Sequence, residues 1–314
     1  MTGRGREIAL HGGLVALLAV LAFVLPAYHH GNVARVMVLA VYAMGYNLAF
    51  GYTGLLSLGH AMFFAAGMYG MGLPAYHLGL GAGLSFVAGL AAAAGLALAV
   101  GVLALRTAGV AFMIVTLMFS QAAYLTILLF GTYTRGDEGL VLTRASRVLA
   151  GVDLSDPMAR YVAALGLFAV ALFFTLWLVR QPEGRVLVAI RENEERAELL
   201  GYNVFRHKLA AIVLSGTMSG AAGAAYGLLF GYVGASFAEV QYSIFPLLWV
   251  LLGGAGTVIG PFLGTLFMFY LIDLSADITS AYMLIAGLAL VLLTLFAPQG
   301  LGGEIRRRWA GWLP

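Results

Sequence analysis

The 314-residue chain contains no cysteine and a single lysine, Lys208. Without cysteine there are no disulfides, iron–sulfur clusters or thiolate metal sites. Lys208 sits in Arg206-His207-Lys208-Leu209, so the chain has no Gly-Lys-Ser/Thr phosphate loop with which to bind ATP. His-Glu-x-x-His and Gly-x-Ser-x-Gly are also missing. The chain is therefore expected to be neither an enzyme nor the holder of a cofactor. Charge is scarce as well: 17 Lys+Arg and 14 Asp+Glu amount to 10% of the residues, against about 25% in ordinary globular domains. So few charges cannot cover a soluble particle of this size, and the net charge of +3 calls for no nucleic-acid partner.

Apolar side chains supply 62% of the chain, and the mean hydropathy is +0.95. Between Arg35 and Arg106 no Asp, Glu, Lys or Arg occurs. At about 20 residues per helical crossing, that run holds roughly three spans. The apolar stretches are continuous rather than alternating, which selects helices over barrel strands. The expectation is an all-α, polytopic transmembrane bundle in a lipid bilayer, forming one domain over 1–314. Spans are placed at 8–27, 33–50, 60–78, 82–105, 110–130, 160–180, 208–231, 238–254, 258–273 and 281–297. The first, preceded by a basic end, is read as a retained helix rather than a cleaved signal, because Pro26-Ala27-Tyr28-His29-His30 is a poor cleavage site. Pro246, Gly253-Gly254, Gly256 and Gly260-Pro261 mark either a turn between two short spans or a broken helix. The count is therefore eight to ten, with ten preferred. With ten spans and the N-terminus inside, twelve basic residues lie inside and five outside, as the positive-inside rule asks. Both termini are then cytoplasmic.

Two hydrophilic segments interrupt the spans. The outer loop, 131–160, carries Arg135, Asp137, Glu138, Asp153 and Asp156. The inner loop, 181–207, is expected to hold one short amphipathic helix from Arg185 to Leu200. Glu192–Arg196 is an i,i+4 pair there, Val186, Ile190, Ala197 and Leu200 share a face, and Gly201 stops the helix. Gly223, Gly227 and Gly231, with Gly216, Gly220 and Ala224 beside them, read as a close-packing helix face.

Ionisable groups, which mark ion-coupled transport when they lie mid-span, are thin here. Asp273, Asp277, Glu239, His11, His60 and His77 all fall near span ends, and His29-His30 reads as an exposed loop pair. Asn47, Ser57, His60, Thr116, Ser120 and Gln121 are polar groups in or beside spans. They either line a translocation path or fasten helices together. The uncharged break from Gly51 to Gly59 reads as irregular backbone near a cavity.

Glu195-Arg196-Ala197-Glu198-Leu199-Leu200-Gly201, followed by Ile212-Val213-Leu214, resembles the coupling motif of bacterial ABC importer permeases, with Arg196 in place of an alanine and Ser215 where proline is common. Tyr46-Asn47-Leu48, Gly51-Tyr52-Thr53-Gly54 and Leu56 to His60 extend the resemblance. So do Gly184 to Glu194, Leu252 to Gly256, Gly260-Pro261 and Pro298 to Leu301. Arg106-Thr107 and Thr134 to Leu140 also agree. Over nearly its whole length the chain resembles LivM-type permeases of branched-chain amino acid importers. The resemblance implies a LivH-like second permease, two cytoplasmic ATPase subunits that bind the ATP, and a periplasmic solute-binding protein, in the bacterial inner membrane. It implies that Arg191, Glu192, Glu195, Ala197, Leu200 and Gly201 couple to an ATPase. Asn47, Gly51, Ser57, His60, Ser120 and Gln121 are the candidate path. Branched-chain amino acids, urea, amides and aromatic acids are the substrates such chains carry. The competing reading is an autonomous ion-coupled carrier or channel.

Overall fold

Backbone amides in long, uncharged apolar stretches are best satisfied within their own segment, and helices form there accordingly. The computed structural model describes residues 3–276, 279, 281–296 and 299–308. Helices α1 (Gly3–Val24), α2 (Ala27–Asn47), α3 (His60–His77), α4 (Ala82–Ala104) and α5 (Gly109–Leu129) precede the hydrophilic segment 131–156. After it come α6 (Pro157–Arg180), α7 (Pro182–Glu192), α8 (Glu194–Leu199) and α9 (Val204–Phe230). The order ends with α10 (Val240–Gly253), α11 (Gly260–Ala276), α12 (Tyr282–Phe296) and α13 (Gly300–Arg308). A helix covers each of the ten apolar stretches. Among the described residues six segments are long and apolar enough to cross a membrane by length and composition: Gly5–Val24, Tyr28–Tyr52, Ala82–Ala104, Gly109–Leu129, Pro157–Arg180 and Val204–Phe230.

The central element is α2, which packs against α6, α9, α10 and α11, while α9 packs against α3 and α4. Tyr42, Met44 and Tyr46 of α2 are fully buried. Their hydroxyls reach backbone acceptors, as buried phenols must: Tyr42 donates to Tyr242 O at 2.9 Å and Tyr46 to Ser57 O at 3.0 Å. Tyr161 ties α6 to α1 by donating to Leu18 O at 2.8 Å. The small-residue face of α9 behaves as expected at most positions. A Cβ on Gly67 of α3 would overlap the backbone of Gly220, and one on Gly216 would meet Ala97 Cβ of α4 at 2.5 Å. Gly231 differs from the expectation. It is the left-handed C-cap of α9 at φ 75°, not part of the packing face.

Several boundaries move. The second helix begins at Ala27, directly after Pro26, so His29 and His30 lie on its first turn rather than in an exposed loop. His30 is buried against Tyr161, with ring centroids 4.5 Å apart, and His29 meets the Tyr270 hydroxyl at 3.2 Å. Between 236 and 272 the chain forms two short helices joined by a turn. Gly260 abuts Gly253, and Gly264 abuts Trp249, so α10 and α11 run antiparallel. Asp277 and Pro298 lie outside the described residues.

The hydrophilic segment 131–156 has more structure than its composition suggests. Strand β1 (Leu140–Val141) pairs antiparallel with β4 (Tyr232–Val233), which follows α9, and β2 (Val148–Leu149) forms a hairpin with β3 (Val152–Asp153). Asp156 caps α6 by accepting from Met158 N and Ala159 N, both at 3.0 Å, so that helix starts at Pro157 rather than 160. Arg147 is only 8% exposed and donates to Leu228 O at 2.6 Å and Leu229 O at 2.5 Å, the free carbonyls at the end of α9. Burial, with the Arg160 charge added, lowers its proton affinity. The hydroxyl and amide of Ser155 both donate to Asp153 and hold that carboxyl below the usual range.

Candidate coupling and translocation residues

The hydrophilic loop between α6 and α9 folds into two helices, not the single helix expected over 185–200. Asn193 breaks it. Its backbone is extended, at φ −161° and ψ 107°, and its Oδ1 accepts from Arg196 N at 2.8 Å to cap α8. Asparagine is a preferred N-cap because its side chain replaces the missing helical acceptor. The break also removes the Glu192–Arg196 pair: among the described ion pairs Glu192 is held by Arg191, at 2.7 Å. The stop at Gly201 is as expected. Gly201 has φ 88°, its N–H reaches Glu198 O at 2.8 Å, and Tyr202 N reaches Ala197 O at 3.2 Å, a Schellman closure.

Burial within the pair is divided. Val186, Ile190 and Ala197 pack with Val204 into a small core of their own. Leu200, expected on that face, is 69% exposed and Leu199 is 89% exposed; α8 ends at Leu199, and Leu200 is its cap, with a backbone (φ −79°, ψ 0°) that has left the helix. Glu195 is also exposed. Lys208 of α9 pairs with Glu194, and Arg180 at the end of α6 pairs with Glu7 of α1.

A further side chain ties this pair to the break in α2. Arg191 Nη1 donates to Gly51 O at 2.5 Å. Gly51 lies in the π-helical turn Leu48–Tyr52 that ends α2, and the chain then runs irregularly to Gly59, as the glycine content suggested. Asn47, fully buried one turn earlier, accepts from Gly256 N at 2.9 Å and donates to Thr257 O at 2.9 Å. Three segments distant in the chain thus meet: the break after α2, the turn between α10 and α11, and α7. A Cβ on Gly51 would collide with Asn47 Oδ1 and come within 2.5 Å of Gly256 N, so only glycine allows the approach.

The other candidate path residues separate into two places. Ser57, His60 and Thr116 line a cavity of about 10 Å³ between α3, α4, α5 and α9, room for one water and not for an amino acid. Ser215 donates to Gly45 O at 2.5 Å and so accepts from His60 Nε2 at 2.7 Å, which leaves Nδ1 of His60 an acceptor with no partner among the described residues. Thr116 accepts from Leu58 N at 3.2 Å and donates to Met113 O at 2.9 Å. Ser120 is buried on α5 with its hydroxyl unpartnered among the described residues, and Gln121 beside it is half-buried. Asn47 and Gly51 belong instead to the Arg191 junction.

Two participants escaped the sequence reading. Asn193 carried a legible signal, an asparagine followed at once by Glu194 and Glu195, which is an N-terminal signature. Gly256, against which Arg191 Nη1 would stand 3.0 Å from an added Cβ, carried none beyond its glycine cluster.

Comparison with known proteins agrees with this architecture. The family described as branched-chain amino acid transport system / permease component matches residues 31–296. The high-affinity branched-chain amino acid transport system permease protein LivM of Escherichia coli K12 is 33% identical over 289 residues, 84% of this chain and 68% of that protein. The protein of the same description from Salmonella typhimurium is 32% identical over 295 residues, with the same coverage of 84% and 68%. An autoinducer 2 import system permease protein LsrC from Enterobacter sp. strain 638 is 32% identical over 126 residues, 37% of this chain and 36% of that one. No solved structure matches the chain. A match across 31–296, together with a third of positions identical to LivM over most of both chains, places this helical bundle: it belongs to the family of branched-chain amino acid transport system permease components.

Proposed function

We propose that the chain is the transmembrane permease subunit of an ATP-driven importer for branched-chain amino acids or related small amphipathic solutes. It sits in the bacterial inner membrane with ten crossings and both termini cytoplasmic. A second, LivH-like permease, two cytoplasmic ATPase subunits that bind the ATP and a solute-binding protein complete the assembly. The α7–α8 pair is the coupling element. Arg191, Glu192, Glu195, Ala197, Leu200 and Gly201 shape it, and the exposed Leu199, Leu200 and Tyr202 offer an apolar tip to an ATPase cleft. Asn47, Gly51, Ser57, His60, Ser120 and Gln121 mark the path that opens when the bundle moves.

The observation that carries this reading is the Arg191–Gly51 hydrogen bond. A push on α7 reaches the break in α2 through one charge-assisted contact, and through Asn47 it reaches the α10–α11 turn. Nucleotide shifts such an equilibrium only by binding one arrangement better than the other. The test combines Gly201→Pro with Glu195→Lys in the assembled importer. ATP hydrolysis is expected to continue while uptake falls by about tenfold or more, a loss of roughly 1.4 kcal/mol of coupling. Undiminished uptake by this variant, or uptake by the chain alone that collapses with an ion gradient, overturns the reading in favour of an autonomous carrier.

A further inference from the structure

About 24 Å from Gly51 along α2, at 1.5 Å per residue, lies Arg35, at the end of the bundle away from Arg191. It faces a cavity of about 310 Å³ walled by Tyr242, Phe245, Trp249 and Phe269 and also lined by Asp273. That volume is near the lower limit for small-molecule sites.

Among the described residues the charges here are neutralised neither by each other nor by a neighbour. Asp273 accepts from two neutral donors, the Tyr28 hydroxyl at 2.6 Å and Asn32 Nδ2 at 3.2 Å. Arg35 has its guanidinium over the Phe230 ring, 5.1 Å from the centroid. Among the described residues neither Arg35 nor Asp273 forms an ion pair. Trp249 is only 5% exposed, and its indole N–H has no acceptor among the described residues. Phe245 and Trp249 stack with centroids 5.9 Å apart and planes 9° from parallel, which gives the cavity a flat apolar wall.

One cation, one anion, one spare neutral donor and an aromatic wall are the complement of a free α-amino acid with an apolar side chain. We infer that this cavity is a binding site for such a zwitterion on its way into the permease. The carboxylate is taken by Arg35 and by the Trp249 N–H, and the ammonium by Asp273, in charge-assisted hydrogen bonds. Phe245 and Phe269 hold the side chain. The site deepens the proposed function and rests on its orientation, since only with α7 cytoplasmic does the cavity face the incoming solute.

The test is equilibrium binding of radiolabelled L-leucine to the assembled importer in nanodiscs, alongside ATP-driven uptake. Isoamylamine and 4-methylpentanoate, which lack the carboxylate and the ammonium respectively, serve as competitors. Arg35→Gln is expected to weaken leucine about tenfold or more while leaving isoamylamine competition unchanged, and Asp273→Asn is expected to weaken leucine likewise while leaving 4-methylpentanoate competition unchanged. Trp249→Phe keeps the ring, loses the donor and weakens leucine about threefold; it carries the test alone if Asp273→Asn does not fold. No saturable leucine binding in the wild type, equal weakening of all three ligands by both charge variants, or displacement of phosphatidylethanolamine instead of amino acid overturns the site. ATP-driven uptake that is normal in both charge variants removes this site and leaves the importer reading standing. A wild-type assembly without ATP-driven uptake removes the importer reading instead.

Discussion

Asn47 shows how much one polar side chain carries in a bundle with so few. Its amide serves two backbone groups of the α10–α11 turn, the half-buried Gly256 N and the buried Thr257 O, both at 2.9 Å. Truncating it leaves the buried acceptor unmet, at about 1–3 kcal/mol, and the half-buried donor at less. Asn47→Ala is therefore expected to lower the thermal midpoint of the detergent-purified protein by several degrees and to depress uptake; an unchanged midpoint would mean the turn is held elsewhere. The same residue illustrates what a sequence can disclose. Its type and its place in an apolar helix flag it as costly, hence partnered, but the partners lie 209 and 210 residues away. Arg35 and Asp273 are the extreme case. Each is visible as a charge at a span end, and nothing local says that they line one cavity.

At the scale of the element, hydropathy is a one-dimensional signal and reads well. Every apolar stretch became a helix, while breaks decided by a single side-chain hydrogen bond were less accessible. The amphipathic pattern of 185–200 continues smoothly across Asn193, and only the competition between its side chain and the helical backbone splits the segment. Asn193→Ala removes the cap and is expected to cost α8 about 1 kcal/mol. The amides of 196–199 should then exchange hydrogen roughly fivefold faster, as that free energy implies, with α7 unaffected. Equal exchange in both proteins would show that the Gly201 closure and the Val186–Ile190–Ala197–Val204 core suffice without the cap. The pair is built from three small local devices, and none depends on a long hydrophobic face.

For the molecule as a whole, the lack of cysteine becomes an experimental asset, since any introduced thiol is the sole label site. With ten crossings and cytoplasmic termini, Ser146→Cys should react with a membrane-impermeant maleimide in intact cells, while Glu195→Cys should react only after the membrane is opened. Labelling of both from the same side would refute the ten-crossing orientation and with it the assignment of α7 and α8 to the cytoplasm. The burial of Arg147 has a further consequence, for the order in which the chain is made. Its carbonyl acceptors, Leu228 and Leu229, come 81 and 82 residues later. At about 5–20 residues per second the ribosome needs roughly 4–16 s to supply them. Through that interval the guanidinium must stay hydrated at the surface, with the β1 edge unpaired because Tyr232 and Val233 do not yet exist. The segment 131–156 is therefore made well before the residues that fasten it, and the nascent chain passes through a stage in which this cover is in place but not yet locked.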